Sequence, residues 1–269
     1  MKDKLKDFYN DLYERELSKN TISAYKTALS QYFSQYEELT KSNLIDWKRK
    51  MIDATKPKTV NARIIAVNQF LKFIGKSDMC LRKIKVQSQS SIENVISAEE
   101  FTKLLDCLQA DEKIKGYLIC LFLGKTGARV SELRQFKKKD LKQGFCELHT
   151  KGKLRRIYFC DSLLKDKNIT YWENKVDNDY LFDSRFSEQI TARGVAQLLQ
   201  QYSKNYGINP KVMHPHSFRH FFAIEFLKRD KDISLLADLM GHSSINTTTI
   251  YLRLNQEQQI DRLNKAMNF

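Results

Sequence analysis

Between Leu5 and Phe73 the apolar side chains recur at intervals of three and four, and only an α-helix turns that interval into one continuous buried face. Leu5, Phe8, Tyr9, Leu12 and Tyr13 form a first stripe, which Ser18 to Asn20 interrupt, and Ile22, Tyr25, Leu29, Tyr32 and Phe33 form a second from about Thr21. Leu44, Trp47 and Met51 give a third, and Val60, Ile64, Val67, Phe70, Leu71 and Phe73 a fourth that Gly75 closes. Four amphipathic helices in close succession specify a small bundle. Behind it, between Val86 and Val95, periodicity disappears and the chain turns polar through Gln-Ser-Gln-Ser-Ser-Ile-Glu-Asn, the composition of a linker. The expected organisation is a first domain over 1–88, a linker over 89–95 and a second domain over 96–269, and 269 residues suit two domains.

The second domain opens on Ser97-Ala98-Glu99-Glu100, which has capping-box spacing: Ser97 caps a helix that runs through Leu108, and Glu100 reaches back. That pair of glutamates therefore reads as a cap and not as acid–base machinery. A buried helix is expected from about Glu112 to Lys125, broken by Thr126-Gly127-Ala128-Arg129. From Phe145 the period shifts to two, so Phe145 to Thr150, a Lys151-Gly152-Lys153 turn and Arg155 to Cys160 predict a β-hairpin. Helical spacing returns over Thr191 to Tyr206, His216 to Lys228, Ile233 to Met240, Ser244 to Leu252, and from Asn255 onward. The expected fold class is mainly α, a four-helix bundle followed by a helical domain that carries one small β-hairpin.

Lys and Arg number 46 against 32 Asp and Glu, and a formal charge of +14 calls for a polyanionic partner, nucleic acid first. The bundle takes a large share of it, with 18 Lys and Arg against 10 Asp and Glu in residues 1–86. Lys48-Arg49-Lys50 and Lys137-Lys138-Lys139, taken singly, read as solvated faces. The five cysteines are scattered and never spaced C-x-x-C, which excludes a readable zinc ribbon and a disulfide framework and suits reduced, packed thiols. The charged start Met1-Lys2-Asp3-Lys4 and a longest apolar run of only Tyr117 to Leu123 argue against secretion and against a membrane span, which takes about 20 residues. A cytoplasmic protein without a membrane partner is expected.

Four of the five histidines fall between 214 and 242, and His216-Ser217-Phe218-Arg219-His220 sets His216, Arg219 and His220 on one helical face. The four-residue offset of His216 and His220 matches a zinc helix, but Ser217 stands where that motif has its glutamate and Arg219 would repel a cation. No metal is expected. An anion site suits the triplet better, with Arg219 as a two-pronged donor to phosphate. Arg129 follows Thr-Gly at a helix start, where free N–H groups favour an anion, although a surface pair with Glu132 would explain it equally. Lys151 sits at the hairpin tip, where lysine also serves solubility. Gly241 ends a helix beside His242, and Tyr251 follows nine residues later.

Taken together and in order, Thr-Gly-Ala-Arg129-Val-Ser-Glu-Leu, Lys151 at a hairpin tip, His216-x-x-Arg219-His220, Met-Gly-His242 and Tyr251 resemble the tyrosine recombinase (phage integrase-like) family. The bundle, with Ser18-x-Asn20-Thr21-Ile-x-Ala-Tyr25, looks like that family's core-binding domain, so the resemblance spans nearly the whole chain. Departures are small: Ala128, Phe218 and Met240 stand where the family usually has leucine. The resemblance implies a site-specific recombinase acting on double-stranded DNA through a 3′-phosphotyrosyl link. A phenol suits that task because the phosphotyrosine keeps the energy for rejoining, so no cofactor is needed. With an ordinary pKa of about 10 the phenol needs help, a role the resemblance gives to His216. Arg129 and Arg219 would neutralise the phosphorane, Lys151 would protonate the departing 5′ oxygen, with Lys153 as its rival, and His242 would donate to the phosphate. Thr21, Lys58, Thr59, Asn61 and Arg63 lie where the family's first domain approaches DNA. The family works as four protomers on two sites, and a tail with Ile260, Leu263 and Met267 at helical spacing is expected to dock on a neighbour.

Two other outcomes use the same residues. A type IB-like topoisomerase would relax DNA with the same chemistry, and a vestigial DNA-binding regulator would show damage at one of the six positions, none of which is damaged here. The target sequence and the biological task are not written in residues that contact mostly phosphate and DNA shape.

Overall fold

Helices form on each of the first four stripes: α1 (Lys2–Glu14), α2 (Lys19–Phe33), α3 (Lys41–Ala54) and α4 (Pro57–Phe73). Ser18 and Thr40 cap α2 and α3 by accepting the N–H groups of Thr21 and Asn43, each at 3.2 Å. Pro57 opens α4 at the one helical position where a missing N–H costs nothing. This is a computed structural model of the chain, describing residues 1–86, 92–150, 153–176, 179–184, 189–242, 244–252, 264 and 267. It divides into two units, Met1–Ser88 and Gln89–Phe269.

In the first unit the four stripes meet in a core of Phe8, Leu12, Leu29, Tyr32, Trp47 and Phe70. Phe8 meets Phe70 edge-on at 5.3 Å and Tyr32 meets Trp47 at 5.5 Å, the arrangement aromatic quadrupoles favour. The chain after α4 is clipped back onto that helix by two side chains. Asn68 exchanges two hydrogen bonds with the backbone of Leu81, and Asn61 does the same with Ile84.

In the second unit α5 (Ala98–Ala110) starts on the expected capping box, with Ser97 and Glu100 satisfying each other's N–H groups. α6 (Ile114–Thr126) is buried from Gly116 to Gly124, as a helix without a polar face must be. Short helices α7 (Val130–Leu133) and α8 (Lys138–Gln143) lead into β1 (Phe145–Thr150), which pairs antiparallel with β2 (Lys153–Tyr158), Phe145 opposite Tyr158 and Thr150 opposite Lys153. The second strand starts and ends two residues before the expected span, because Cys160 is already the N-cap of α9 (Asp161–Leu164). α10 (Lys167–Lys175), α11 (Ala192–Tyr206), α12 (Pro215–Arg229) and α13 (Ile233–Met240) follow.

One expected helix is absent. Ser244 to Leu252 forms two 3₁₀ turns, Ile245–Thr247 and Thr249–Leu252. Its run of threonines explains this: β-branched residues are poor helix formers, and these hydroxyls bond elsewhere, Thr249 to the carbonyl of Asn246 and Thr248 to His242. The tail helix expected from Asn255 lies outside the described residues except for Asn264 and Met267. Among the described residues no helix is long and apolar enough to cross a membrane.

The bundle core yields a direct expectation. Trp47, 1% exposed, fills its centre, so Trp47→Ala should cost about 3–5 kcal/mol. Chemical denaturation followed by far-ultraviolet circular dichroism should show the first unit's transition at a lower midpoint, and an unchanged midpoint would contradict this packing.

Candidate active site

α12 buries Phe218, Phe221 and Ala223 in the cores on one side, and the helical period then turns His216, Arg219 and His220 together toward another. The entry to the helix is fastened twice: His214 Nδ1 accepts the N–H of Ser217 at 3.1 Å, and the buried Ser217 hydroxyl accepts the N–H of Ile96 at 2.8 Å. Arg219 is only 3% exposed. It donates from Nη1 to the carbonyl of Gly127 and from Nη2 to that of Met240, both at 2.6 Å. Those carbonyls belong to the C-terminal ends of α6 and α13, where the helix dipole is negative. Burial, with Arg129 and Arg155 adding repulsion, brings its pKa down to about 10.

A second junction forms around Glu132, 4% exposed. α6 ends at Gly127 in the left-handed conformation (φ +60°), and Arg129 then caps α7, its own N–H bonded to Glu132 Oε2 at 2.7 Å. Glu132 Oε1 accepts from Arg129 Nη1 at 2.8 Å and from Arg155 Nη1 at 2.5 Å. Arg155 reaches inward from β2, on the same face as Ile157, and donates a further bond to the carbonyl of Leu239 at 3.3 Å. Arg129 Nη2 lies 3.5 Å from the carbonyl of Gly241. Gly241, at φ +59°, packs so tightly on Arg155 that a Cβ would come within 2.7 Å of Nε. Two guanidiniums thus share one buried carboxylate, with Arg219 as a third cation nearby, and the surplus of positive charge favours an anion at this spot.

The histidines complete the arrangement. His242 Nε2 lies 3.0 Å from Arg219 Nη2 and its Nδ1 2.7 Å from the hydroxyl of buried Thr248. Arginine only donates, so Nε2 of His242 accepts and its Nδ1–H points to Thr248. His220 Nδ1 lies 2.8 Å from the phenolic oxygen of Tyr251, whose ring packs on Ala223, Leu236 and Met240. His216 meets His220 ring to ring at 6.1 Å, with planes 21° apart. Burial lowers the pKa of all three imidazoles, with nearby charges adding to it, and takes His220 and His242 down to about 4. Burial also raises Tyr251 to about 12, against the pull of Arg219 and Arg129. At neutral pH the site therefore holds fixed arginine cations, neutral imidazoles and an un-ionised phenol.

Of the residues singled out from the sequence, Arg219 and His242 are bonded to each other, Arg129 reaches the carbonyl of Gly241 beside them, and His216 and Tyr251 join through His220. Lys151 and Gly152 lie outside the described residues. In the first unit Lys58 and Thr59 are exposed on the first turn of α4, and Thr21 and Arg63 are half-buried, with the Thr21 hydroxyl 2.8 Å from that of Ser18. Asn61 bonds through both ends of its amide to the backbone of Ile84 at 2.9 Å, clipping the chain after α4 and leaving one N–H and one lone pair of the amide over. Sequence reasoning did not assign Glu132, Arg155, Thr248 or His220. The parity of Arg155 with Ile157 along a strand was the one available signal for the arginine, and the position of His220 on the His216–Arg219 face was the signal for the histidine.

The profile of the Phage integrase family matches residues 94–258, and that of the phage integrase N-terminal SAM-like domain matches residues 5–76. Tyrosine recombinase XerA of Pyrococcus furiosus is 30% identical over 270 residues, covering 97% of this chain and 93% of the relative. Among solved structures, the XerH site-specific recombinase bound to its difH substrate aligns with a TM-score of 0.72 at 18% identity, over 93% of this chain and 80% of that one. A lambda integrase dimer bound to a core site aligns with a TM-score of 0.74 at 17% identity, over 93% and 76%. At these identities the structures establish likeness of fold.

Two measurements follow from the charge arrangement. Glu132→Gln strips the counter-ion from buried Arg155 and should cost about 3–5 kcal/mol, seen as a lower midpoint for the second unit in urea. His220 and His242 titrate near 4 in the folded chain against an ordinary value of 6.5, so the unfolded chain binds more protons between those values. Stability should be unaffected by these groups above about pH 6.5 and should fall as pH drops toward 4. In the double variant His220→Gln, His242→Gln that part of the stability–pH curve should flatten, and an unchanged slope would contradict the neutral imidazoles.

Proposed function

This chain belongs to the phage integrase family and is a tyrosine-type site-specific DNA recombinase, and from that premise we propose that Tyr251 is its nucleophile and that Arg129 and Arg219 clamp the scissile phosphate. The observation that carries the assignment is that Arg219 bonds to His242 while Arg129 reaches the carbonyl of the preceding Gly241, with the phenol of Tyr251 bonded to the same helix as Arg219.

In this scheme the Tyr251 oxygen attacks phosphorus, the Tyr251–phosphorus bond forms as the bond to the 5′ oxygen breaks, and the DNA 3′ end is left joined to the protein. Negative charge grows on the two non-bridging oxygens during attack. The guanidiniums are already in place there, held by Glu132 and by helix-end carbonyls, so no reorganisation is needed at the moment of reaction. The neutral His242 donates toward the phosphate once its Thr248 contact yields, and family resemblance gives His216 an assisting role beside the phenol. Lys151, assigned by family resemblance, gives the 5′ oxygen its proton. Rejoining runs the same steps backward, driven by the energy kept in the phosphotyrosine.

Lys58, Thr59, Asn61, Arg63 and Thr21 are proposed to line the DNA approach of the first unit, supported by the positions of Thr21 at the start of α2 and of the other four in the first two turns of α4. Phosphate contacts of this kind make binding weaken steeply with salt. Four protomers on two sites, linked by the tail from Asn255, are proposed by resemblance to the family, and the helical spacing of Ile260, Leu263 and Met267 in the sequence suits such a docking tail.

Covalent trapping tests the assignment: incubate the protein with genomic DNA of its host, denature rapidly and sequence the attached DNA. Adducts at a few discrete loci that vanish in Tyr251→Phe are expected, and adducts that persist in that variant would overturn the nucleophile. Arg129→Ala and Arg219→Ala should each slow adduct formation by roughly 10²–10³-fold. Adducts scattered without a consensus would point instead to topoisomerase behaviour.

A further inference from the structure

Among the described residues the Tyr251 phenol has one hydrogen-bond partner, His220 Nδ1 at 2.8 Å. His216 touches the His220 ring but makes no hydrogen bond to the phenol among those residues. We propose that His220 is the group that takes the phenolic proton of Tyr251 during strand cleavage and returns it during rejoining. This rests on Tyr251 being the nucleophile.

The distance lies within the range a general base requires, and the acceptor is a ring nitrogen held on the middle of a fifteen-residue helix. The Nε2–H tautomer of His220 leaves Nδ1 free to accept from the phenol. The rings of Tyr251 and His220 lie 5.5 Å apart, and Ala223, Leu236 and Met240 fix the phenol from the apolar side. The charged and titratable groups acting on His220 are His214, His216 and Arg219, and burial works with them to keep the imidazole neutral and able to accept.

In the DNA-free protein the proton stays on the phenol, because burial disfavours both the imidazolium and the phenolate. A phosphodiester drawn into the arginine junction brings negative charge beside Arg219, the cation that depresses His220, and its basicity rises. As the Tyr251 oxygen bonds to phosphorus, its proton passes to His220 Nδ1, and the 5′ oxygen, losing its bond to phosphorus, takes a different proton from the donor on the other side. In rejoining, the 5′ hydroxyl gives up a proton and attacks, while His220 returns its own to the Tyr251 oxygen. The device confines activation of the nucleophile to the moment when DNA is bound.

The test replaces Tyr251 by 2,3,5-trifluorotyrosine, a phenol acidic enough to ionise without a base. On the DNA site recovered by covalent trapping, His220→Ala should slow adduct formation by roughly 10²–10⁴-fold, and trifluorotyrosine at 251 should restore about ten-fold or more of that loss. The same phenol should not restore His216→Ala. Wild-type rates in His220→Ala, or a loss that the acidic phenol leaves untouched in both His220→Ala and His220→Asn, would overturn the assignment, the second outcome reducing His220 to a packing residue. A separate readout needs no DNA: the ¹⁹F signal of fluorotyrosine at 251 in the full chain should shift in both variants, and an unmoved signal would remove the hydrogen bond on which the proposal stands. Adducts surviving in Tyr251→Phe would instead overturn the nucleophile itself.

Discussion

A guanidinium that cannot lose its charge has been placed where water hardly reaches it, and most of the second unit is arranged to make that tolerable. Arg219 cannot shed its proton within the working pH range, so each N–H must find an acceptor inside the fold. Two of the acceptors are the carbonyls of Gly127 and Met240, at the ends of α6 and α13. Helix ends are the one place where backbone carbonyls are left over and where the dipole offers negative potential. The requirement therefore fixes where both helices stop. It is met by glycines 127 and 241 in the left-handed conformation, each ending its helix beside the arginine.

The electrostatics around Glu132 have the same logic with the opposite sign. One buried carboxylate serves Arg129 and Arg155, and it leaves the combined site short of negative charge. Buried ion pairs contribute little net stability, because desolvation offsets the Coulomb attraction. Their worth here is geometric: Arg129 and Arg155 are held at fixed positions before any ligand arrives, and the unmet demand for negative charge is what a phosphate supplies.

Much of this could be read in the chain, and the limits have physical reasons. The helices of the bundle were legible because amphipathic periodicity is local, and the face shared by His216, Arg219 and His220 was legible because helical spacing carries it. Glu132 was read as a surface partner of Arg129, because a salt bridge three residues apart looks the same in sequence whether it is buried or exposed. The contact of His220 with Tyr251 depends on how the chain returns between Ser244 and Leu252, where the helical pattern was overridden by threonine hydroxyls that bond to His242 and to the backbone. The clip that Asn61 makes to the backbone of Ile84 was likewise illegible, because it depends on where the chain after α4 folds back.

The two halves of the site differ in how they are anchored, and the difference suits the reaction. Arg129, Arg155 and Arg219 are each tied by hydrogen bonds to backbone or carboxylate, so the proposed phosphate clamp would be fixed in advance. Tyr251 instead sits at the end of 3₁₀ turns held by the Thr248–His242 and Tyr251–His220 bonds and by a small apolar cluster. With few attachments among the described residues, such a segment opens at a fraction of the cost of unfolding a core helix. On the proposed assignment, cleavage and rejoining ask Tyr251 to take on a DNA end and release it while the charges around the phosphorus stay where they are. A rigid cationic clamp with the phenol on a lightly held turn is the division of labour that meets both demands.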